Sequence, residues 1–254
     1  ASARYYKMAN RDYLQWAHRF GFIATTEPIV LQLYSETLQK FRLAAQGHGP
    51  VQPPAAERER VARYFDPLPI WYEPFEGAQV ETHRYPLSAV TQRPPFMYHA
   101  WGSQNAWLRQ ITARNFLYLH PDTAARHGLA DDDWVHVDSH QGRITVQCRL
   151  AANVQPDTVW TWNAIGKRRG AWKLHKDAPE SRKGFLLNHL ISDILPREGY
   201  ANADPVTGQA AWFDLRVSIA RAEPGEDSLP QFAPVDAGTP DPSPLRYGAR
   251  FRKH

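Results

Sequence analysis

The sequence predicts a mainly β-stranded fold with short helices, joined by long ordered loops. Three observations point there. From Tyr85 onward, apolar runs of strand length alternate with clusters of turn residues. Residues 131–150 (DDDWVHVDSHQGRITVQCRL) have the pattern of a β-hairpin turned at His140-Gln141-Gly142. The third is the count of 21 prolines in 254 residues, well above the usual ~5%, which favours extended loops over helical packing. A hydrophobic content of 43% excludes a disordered chain. No stretch approaches the roughly 18 apolar residues of a membrane helix, and no basic-then-apolar signal segment stands at Ala1.

The elements follow in order. Residues 1–22 read as a helix, with Tyr13, Trp16, Ala17 and Phe20 at helical spacing and Gly21 closing it. The segment 28–41 begins as a strand from Ile29 to Tyr34 and continues as a short helix capped by Ser35. Pro50, Pro53, Pro54, Pro67, Pro69 and Pro74 then make an extended connector that ends in a domain boundary near residue 80. Strands follow in 85–92 and 115–121, and a helix begins near Pro121 and stops at Gly128. In the hairpin's second strand Ile144, Val146, Cys148 and Leu150 share one face, and Thr145, Gln147 and Arg149 the other. Residues 154–166 add a strand, 185–195 a short helix and 210–222 a further strand. From Glu223 the chain reads as a proline-rich C-terminal arm without periodicity. The predicted organisation is therefore 1–79, 80–222 and 223–254.

Several kinds of chemistry are excluded by composition. One cysteine cannot supply a disulfide framework, a multi-thiolate zinc site or an iron–sulfur cluster. No hydrolase, zincin, P-loop or Rossmann motif occurs. A net charge of +4 with no RNA-binding signature argues against a nucleic-acid partner. His136, Asp138 and His140 read as solvated residues of the hairpin rather than as metal ligands, and Cys148 as a buried structural thiol.

Binding is better represented than catalysis. The loop after the first strand collects Thr91, Gln92, Arg93, His99, Ser103, Gln104 and Asn105 around Gly102. A second loop carries Asn163, Gly166 and Lys167, and a third Arg182, Lys183, Asn188 and His189. Planar guanidinium forks, ammonium groups and neutral amide donors suit phosphate oxygens and heteroaromatic edges. Three such loops together favour an elongated anionic ligand.

These residues resemble a molybdopterin oxidoreductase of the dimethyl sulfoxide reductase family, in its C-terminal part. The family's T-x-R strand end matches Thr91–Arg93, its following His and Ser/Asn loop matches His99 to Asn105, and its long strand–helix–hairpin motif matches 122–144. Its N-x-L and D-P-x-x-G elements match Asn188, Leu190 and residues 204–208, and LQLYSETL (31–38) resembles its segment before a Pro-rich link. There Gln32 stands in place of the family's acidic residue. The resemblance implies a six-stranded double-psi β-barrel at 80–222, preceded by the tail of an α/β domain. It implies that Thr91, Gln92, Arg93, His99, Trp101, Ser103, Gln104, Asn105, Asn163, Lys167, Lys183, Asn188 and His189 bind bis-molybdopterin guanine dinucleotide carrying molybdenum or tungsten. It assigns no catalytic residue and no metal ligand to this segment. Metal ligand and [4Fe-4S] clusters would lie elsewhere in a polypeptide roughly three times longer, and this segment alone would be inactive.

Within the family, the stretches 101–111 and 158–172 resemble the catalytic subunits of membrane-associated sulfite dehydrogenases. The implied activity is sulfite oxidation to sulfate. The implied partners are a quinone-reactive membrane anchor, a ferredoxin-like iron–sulfur subunit, together with the rest of the catalytic subunit. The implied place is the cytoplasmic face of the membrane. The alternatives are a polysulfide, thiosulfate or tetrathionate reductase, which would be periplasmic, and a non-catalytic barrel that only stores the cofactor.

Overall fold

The computed structural model describes residues 11–24, 26, 35–99, 101–163, 165–166, 183–197, 199–223, 231–232 and 246–248. The chain forms two compact units, Ala1–Trp71 with Phe251–His254, and Tyr72–Arg250. Residues 1–10 of the predicted first helix and the predicted strand Ile29 to Tyr34 lie outside the described residues.

In the first unit α1 spans Arg11–Arg19 and buries Leu14 and Ala17 with Ile23. It ends at Gly21, whose φ of +74° suits glycine. Helix α2 (Glu36–Ala45) starts where Ser35 accepts a hydrogen bond from the Leu38 amide at 3.4 Å, as the sequence predicts. The proline-rich connector departs from the extended reading. A 3-10 turn at Ala55–Glu57 leads into α3 (Arg58–Tyr64), which buries Val61 and Tyr64. Proline pairs favour the start of a helix as readily as an extended link, and Val61 and Tyr64 stand one turn apart. An Arg42–Asp66 ion pair at 2.5 Å and the Phe41–Phe65 edge contact tie α2 to the segment after α3.

The second unit is built on strands β1 (Leu87–Gln92), β2 (Leu117–Leu119), β3 (Trp134–Asp138), β4 (Gly142–Leu150), β5 (Thr158–Trp162) and β6 (Arg216–Arg221). Their order is β2-β5-β1-β6-β3-β4, and a further β2–β4 pairing joins the two ends. The result is a closed six-stranded barrel, the fold the resemblance implies, and closure removes both sheet edges. Two seams are parallel, β1 with β5 and β2 with β4, and the rest antiparallel. A short strand β7 (Gln231–Phe232) adds to β4 through Gly142 and Arg143.

Period-two alternation fills the interior. Leu87 and Ala89, Leu117 and Leu119, Val135 and Val137, Ile144, Val146 and Cys148, Val159, and Val217 and Ile219 form one buried cluster. Each large aliphatic side chain in it contributes about 1.5–3 kcal/mol by leaving water. Helix α5 (Pro121–Arg126) has Pro121 at its start, and Gly128 follows it at φ +62°. The predicted helix at 185–195 is instead a single 3-10 turn, Leu187–Leu190. Its continuation bonds elsewhere: Ser192 Oγ accepts from Ile194 N at 3.2 Å, and Asp193 O accepts from Asn202 N at 2.7 Å.

The proline-rich arm is partly described. Besides β7, Arg246 O accepts from Ala201 N at 2.7 Å and the Arg246 guanidinium lies over the Tyr200 ring. These arm residues therefore pack on the barrel unit itself. The rest of the arm lies outside the described residues.

Candidate functional site

Strand directions alone gather the candidate loops. β1 and β5 run parallel, β2 runs against β5, β4 follows β2, and β3 and β6 alternate between them. The C-terminal ends of β1, β3 and β5 and the N-terminal ends of β2, β4 and β6 therefore lie at one end of the barrel. Thr91, Gln92 and Arg93 leave it from β1, Asn163 from β5, and Asn115 enters it before β2.

The β1–β5 seam fixes the first group. Gln92 pairs with Trp162, and Asn163 N donates to Gln92 O at 2.8 Å. Asn115, 3% exposed, ties in the neighbouring loop. Its carboxamide Nδ2 donates to Trp162 O at 2.9 Å, and its Oδ1 accepts from Thr161 Oγ1 at 2.9 Å and Phe116 N at 3.1 Å. Its own amide donates to Lys183 O at 2.8 Å. Lys183 is thus brought beside the β5 end although twenty residues separate it from Asn163. The close approach of Gly166 and Gly184 holds the same junction. A Cβ on Gly166, which has φ +146°, would collide with the Gly184 and Phe185 backbone.

The loop after β1 folds back on itself. Arg93 Nη2 lies 2.9 Å from His99 Nε2, with its guanidinium near the Tyr98 ring. His99 has a φ of +48°, unusual for a residue with a side chain. A 3-10 turn at Trp101–Gln104 and helix α4 (Ala106–Ile111) follow, and Asn105 Oδ1 caps α4 by accepting from Trp107 N at 2.9 Å. Asn105 therefore has a structural task at this oxygen. Trp101 and Trp107 stand 82% and 78% exposed.

The third loop reaches the same end by another contact. Ser139 Oγ, in the β3–β4 turn, donates to Leu190 O at 2.7 Å, which places Asn188 and His189 beside the hairpin tip. Asn188 is exposed and His189 half-buried. Beneath the tip lies a cluster of charged groups. Glu76, 1% exposed, accepts from Arg216 N at 3.1 Å, its amide donates to Asp214 Oδ2 at 2.8 Å, and His140 Nδ1 is 3.6 Å from its carboxylate. Burial, with the adjacent Glu76 charge, raises the Asp214 carboxyl above its ordinary value. The hairpin histidines are therefore not solvated. His136 is buried and within 3.0 Å of Thr145 Oγ1, and His140 packs on Glu76. Alternation sets His136 on the face opposite Val135 and Val137 and leaves His140 in the turn, but it does not show that either is covered. Cys148 is fully buried, and burial with the nearby Asp133 and Asp131 pushes its thiol up to about 11.

Of the predicted site residues, Thr91, Gln92, Arg93, His99, Asn163, Lys183, Asn188 and His189 gather at this end, and Trp101 and Asn105 follow in its first loop. Lys167 and the side chains of Ser103 and Gln104 lie outside the described residues. Sequence reasoning misses Asn115: it stands alone before a strand, and only the tertiary fold reveals its partners. Among the described residues no group of three or more His, Cys, Asp or Glu is placed to hold a metal ion.

What this end can hold follows from its groups. Arg93 and Lys183 supply cations, and Thr91, Gln92 and Asn188 supply neutral donors. Asn163 Oδ1 is buried with no hydrogen-bond partner, an arrangement that calls for a donor such as a heteroaromatic N–H. Residues 87–202 match the family described as the Molydopterin dinucleotide binding domain.

Residues 87–202 are a molybdopterin dinucleotide-binding domain.

Over 241 residues, 92% of this chain, it is 55% identical to a sulfite dehydrogenase subunit of Allochromatium vinosum. It is 30% identical over 134 residues to the trimethylamine-N-oxide reductase of Haemophilus influenzae, and 28% identical over 182 residues to the dopamine dehydroxylase of Eggerthella lenta. These matches cover 52% and 68% of this chain and 15% and 16% of those proteins. The chain spans about a quarter of the length of the sulfite dehydrogenase polypeptide. The donor set of the barrel end fits the dinucleotide that gives the domain its name: cations for its phosphates, and the Asn163 oxygen for a base.

Proposed function

We propose that this molybdopterin oxidoreductase segment holds bis-molybdopterin guanine dinucleotide, carrying molybdenum or tungsten, in an enzyme that oxidises sulfite to sulfate. The observation that carries the reading is the 55% identity to a sulfite dehydrogenase sustained over 92% of the chain. When bound, the cofactor supplies the metal-centred two-electron and oxo-transfer chemistry. The chain's own residues bind and orient it. Arg93 and Lys183 neutralise phosphate charge, Arg93 with a planar fork that His99 steadies. Asn163 accepts from a base edge, and Thr91, Gln92, Ser103, Gln104, Lys167, Asn188 and His189 complete the cradle with neutral and charged donors. Trp101, exposed beside them, offers a flat ring for stacking.

The electrons would leave through [4Fe-4S] clusters in other parts of the polypeptide and in a ferredoxin-like partner. A quinone-reactive membrane anchor would receive them at the cytoplasmic face. The test is elemental analysis with acid release of GMP on the intact complex, joined to a sulfite-dependent quinone-reduction assay. Two GMP per metal atom and sulfite-dependent turnover are expected. Neither metal nor GMP overturns the cofactor reading, and loaded enzyme that turns over polysulfide but not sulfite overturns the substrate. Arg93→Ala in the full-length enzyme should lower GMP occupancy at least about tenfold, since a hydrogen bond to a charged group contributes about 1.5–3 kcal/mol. Wild-type occupancy in that variant would remove Arg93 from the site.

A further inference from the structure

The peptide unit between Trp162 and Asn163 is held at both ends. Its carbonyl accepts from Asn115 Nδ2 at 2.9 Å, and its N–H donates to Gln92 O at 2.8 Å. A peptide plane bonded on both sides is held against rotation, so the Cα from which the Asn163 side chain leaves is fixed in place. That side chain carries the buried oxygen with no hydrogen-bond partner. Asn115 acts on a second loop through its own amide, which anchors the Lys183 carbonyl at 2.8 Å. Its position is over-determined, because Oδ1 takes bonds from both Thr161 Oγ1 and Phe116 N inside a pocket that leaves Asn115 3% exposed.

We propose that Asn115 is a positioning residue for the dinucleotide: it locks the Trp162–Asn163 peptide and the Lys183 backbone so that two loops meet the ligand already in register. The inference deepens the cofactor reading and rests on it. Pre-organised groups bind without the ordering cost that mobile loops carry, so the effect falls on retention of the dinucleotide rather than on the barrel's survival. The barrel core does not depend on this bond, since the interior cluster is formed by other residues.

The test uses the full-length enzyme in its complex. Asn115→Asp keeps the shape and the Oδ1 acceptor but replaces the donor facing Trp162 O with an oxygen. Thr161→Val is the control, since it removes the hydroxyl that donates to Asn115 Oδ1 at 2.9 Å and reaches Trp162 O only at 3.5 Å, while the Asn115 Nδ2 bond to that carbonyl stays in place. Three quantities are read: GMP per polypeptide, the electron paramagnetic resonance signature of the metal centre, and Tm. The expected result is a fall in GMP content of about tenfold or more in Asn115→Asp with an altered metal signature. Thr161→Val should lower Tm while keeping its GMP. Wild-type GMP and signature in Asn115→Asp would overturn the proposal, as would an equal loss of GMP in both variants at equal Tm. The wild-type enzyme gives an independent reading, should Asn115→Asp not fold. Purified from cells that make no molybdopterin, it should protect the Asn163 amide from hydrogen exchange, and exchange at the rate of an exposed loop would overturn the lock. If wild-type enzyme contains no GMP at all, the cofactor reading itself fails, an outcome distinct from those above.

Discussion

The two ends of the barrel employ their polar groups differently. At the end away from the candidate loops, three consecutive acids close the turn before β3, and all three are engaged within the chain. Asp131 accepts from Leu150 N at 2.7 Å, Asp132 from Arg149 Nη2 at 2.8 Å, and Asp133 from Ala130 N at 2.8 Å and Arg221 Nη2 at 2.6 Å. Two guanidinium groups, those of Arg149 and Arg221, meet these three carboxylates. At the loop end, the strands finish in carboxamides and cations whose backbone is tightly bonded while Asn163 Oδ1 has no partner. Rigid backbone beneath an unpartnered acceptor such as Asn163 Oδ1 suits a binding surface.

Gly166 is where this contrast breaks most severely. Gly166→Ala would drive a methyl group into the Gly184–Phe185 backbone from a conformation that disfavours side chains. The expected cost is about 3 kcal/mol, close to the upper range for overpacking. Thermal unfolding of the full-length enzyme should show it, together with loss of GMP, because the two candidate loops that meet at Gly166 and Gly184 are forced apart. Gly128, at the acidic end, makes no such backbone approach: a Cβ there would meet nothing within 4 Å.

The next effect belongs to the acidic end and depends on pH. The Cys148 thiol is pushed up to about 11 from an ordinary 9.0, first by burial and then by Asp133 and Asp131. A group whose pKa is higher in the folded state favours folding when protonated. Its contribution is complete below pH 9.0 and is lost as pH rises toward about 11. Unfolding midpoints in denaturant should fall across that window in the wild type, and the fall should be shallower in Cys148→Ala. The same burial predicts that native enzyme resists alkylation at this thiol at neutral pH, as mass spectrometry would show.

The smallest effect sharpens the comparison from the other side. Arg221→Ala removes an ion pair of half-exposed groups, Arg221 with Asp133 at 2.6 Å. Such pairs contribute about 0–1 kcal/mol and weaken with salt. A small, salt-dependent change in Tm with GMP content unchanged is expected. Loss of GMP from this substitution would mean that the two ends are coupled rather than separate in their roles.

Local chemistry was legible wherever one residue type decides a backbone state. Ser35 caps α2, Pro121 opens α5 and Gly128 follows it, and alternating aliphatics mark both strands of the hairpin. The Pro-rich connector misled, because prolines exclude a helix interior but also initiate helices, and α3 begins four residues after Pro54. The segment 185–195 misled for a different reason. Its apolar spacing suits a helix, yet Ser192 and Asp193 find better partners in Ile194 and Asn202.

The sequence by itself determined a mainly β domain, its turns and caps, and polar loops of a kind that suits an elongated anionic ligand, because those depend on side-chain type and short-range spacing. Only the tertiary structure decided which loops share an end, since that follows from strand direction in a ring closed by the β2–β4 pairing. It likewise decided that His136 and His140 are covered and that Asn115 joins β5 to Lys183. A buried asparagine whose side chain and backbone amide bond to segments 46 and 68 residues away along the chain carries no local pattern, and its role exists only once those segments meet.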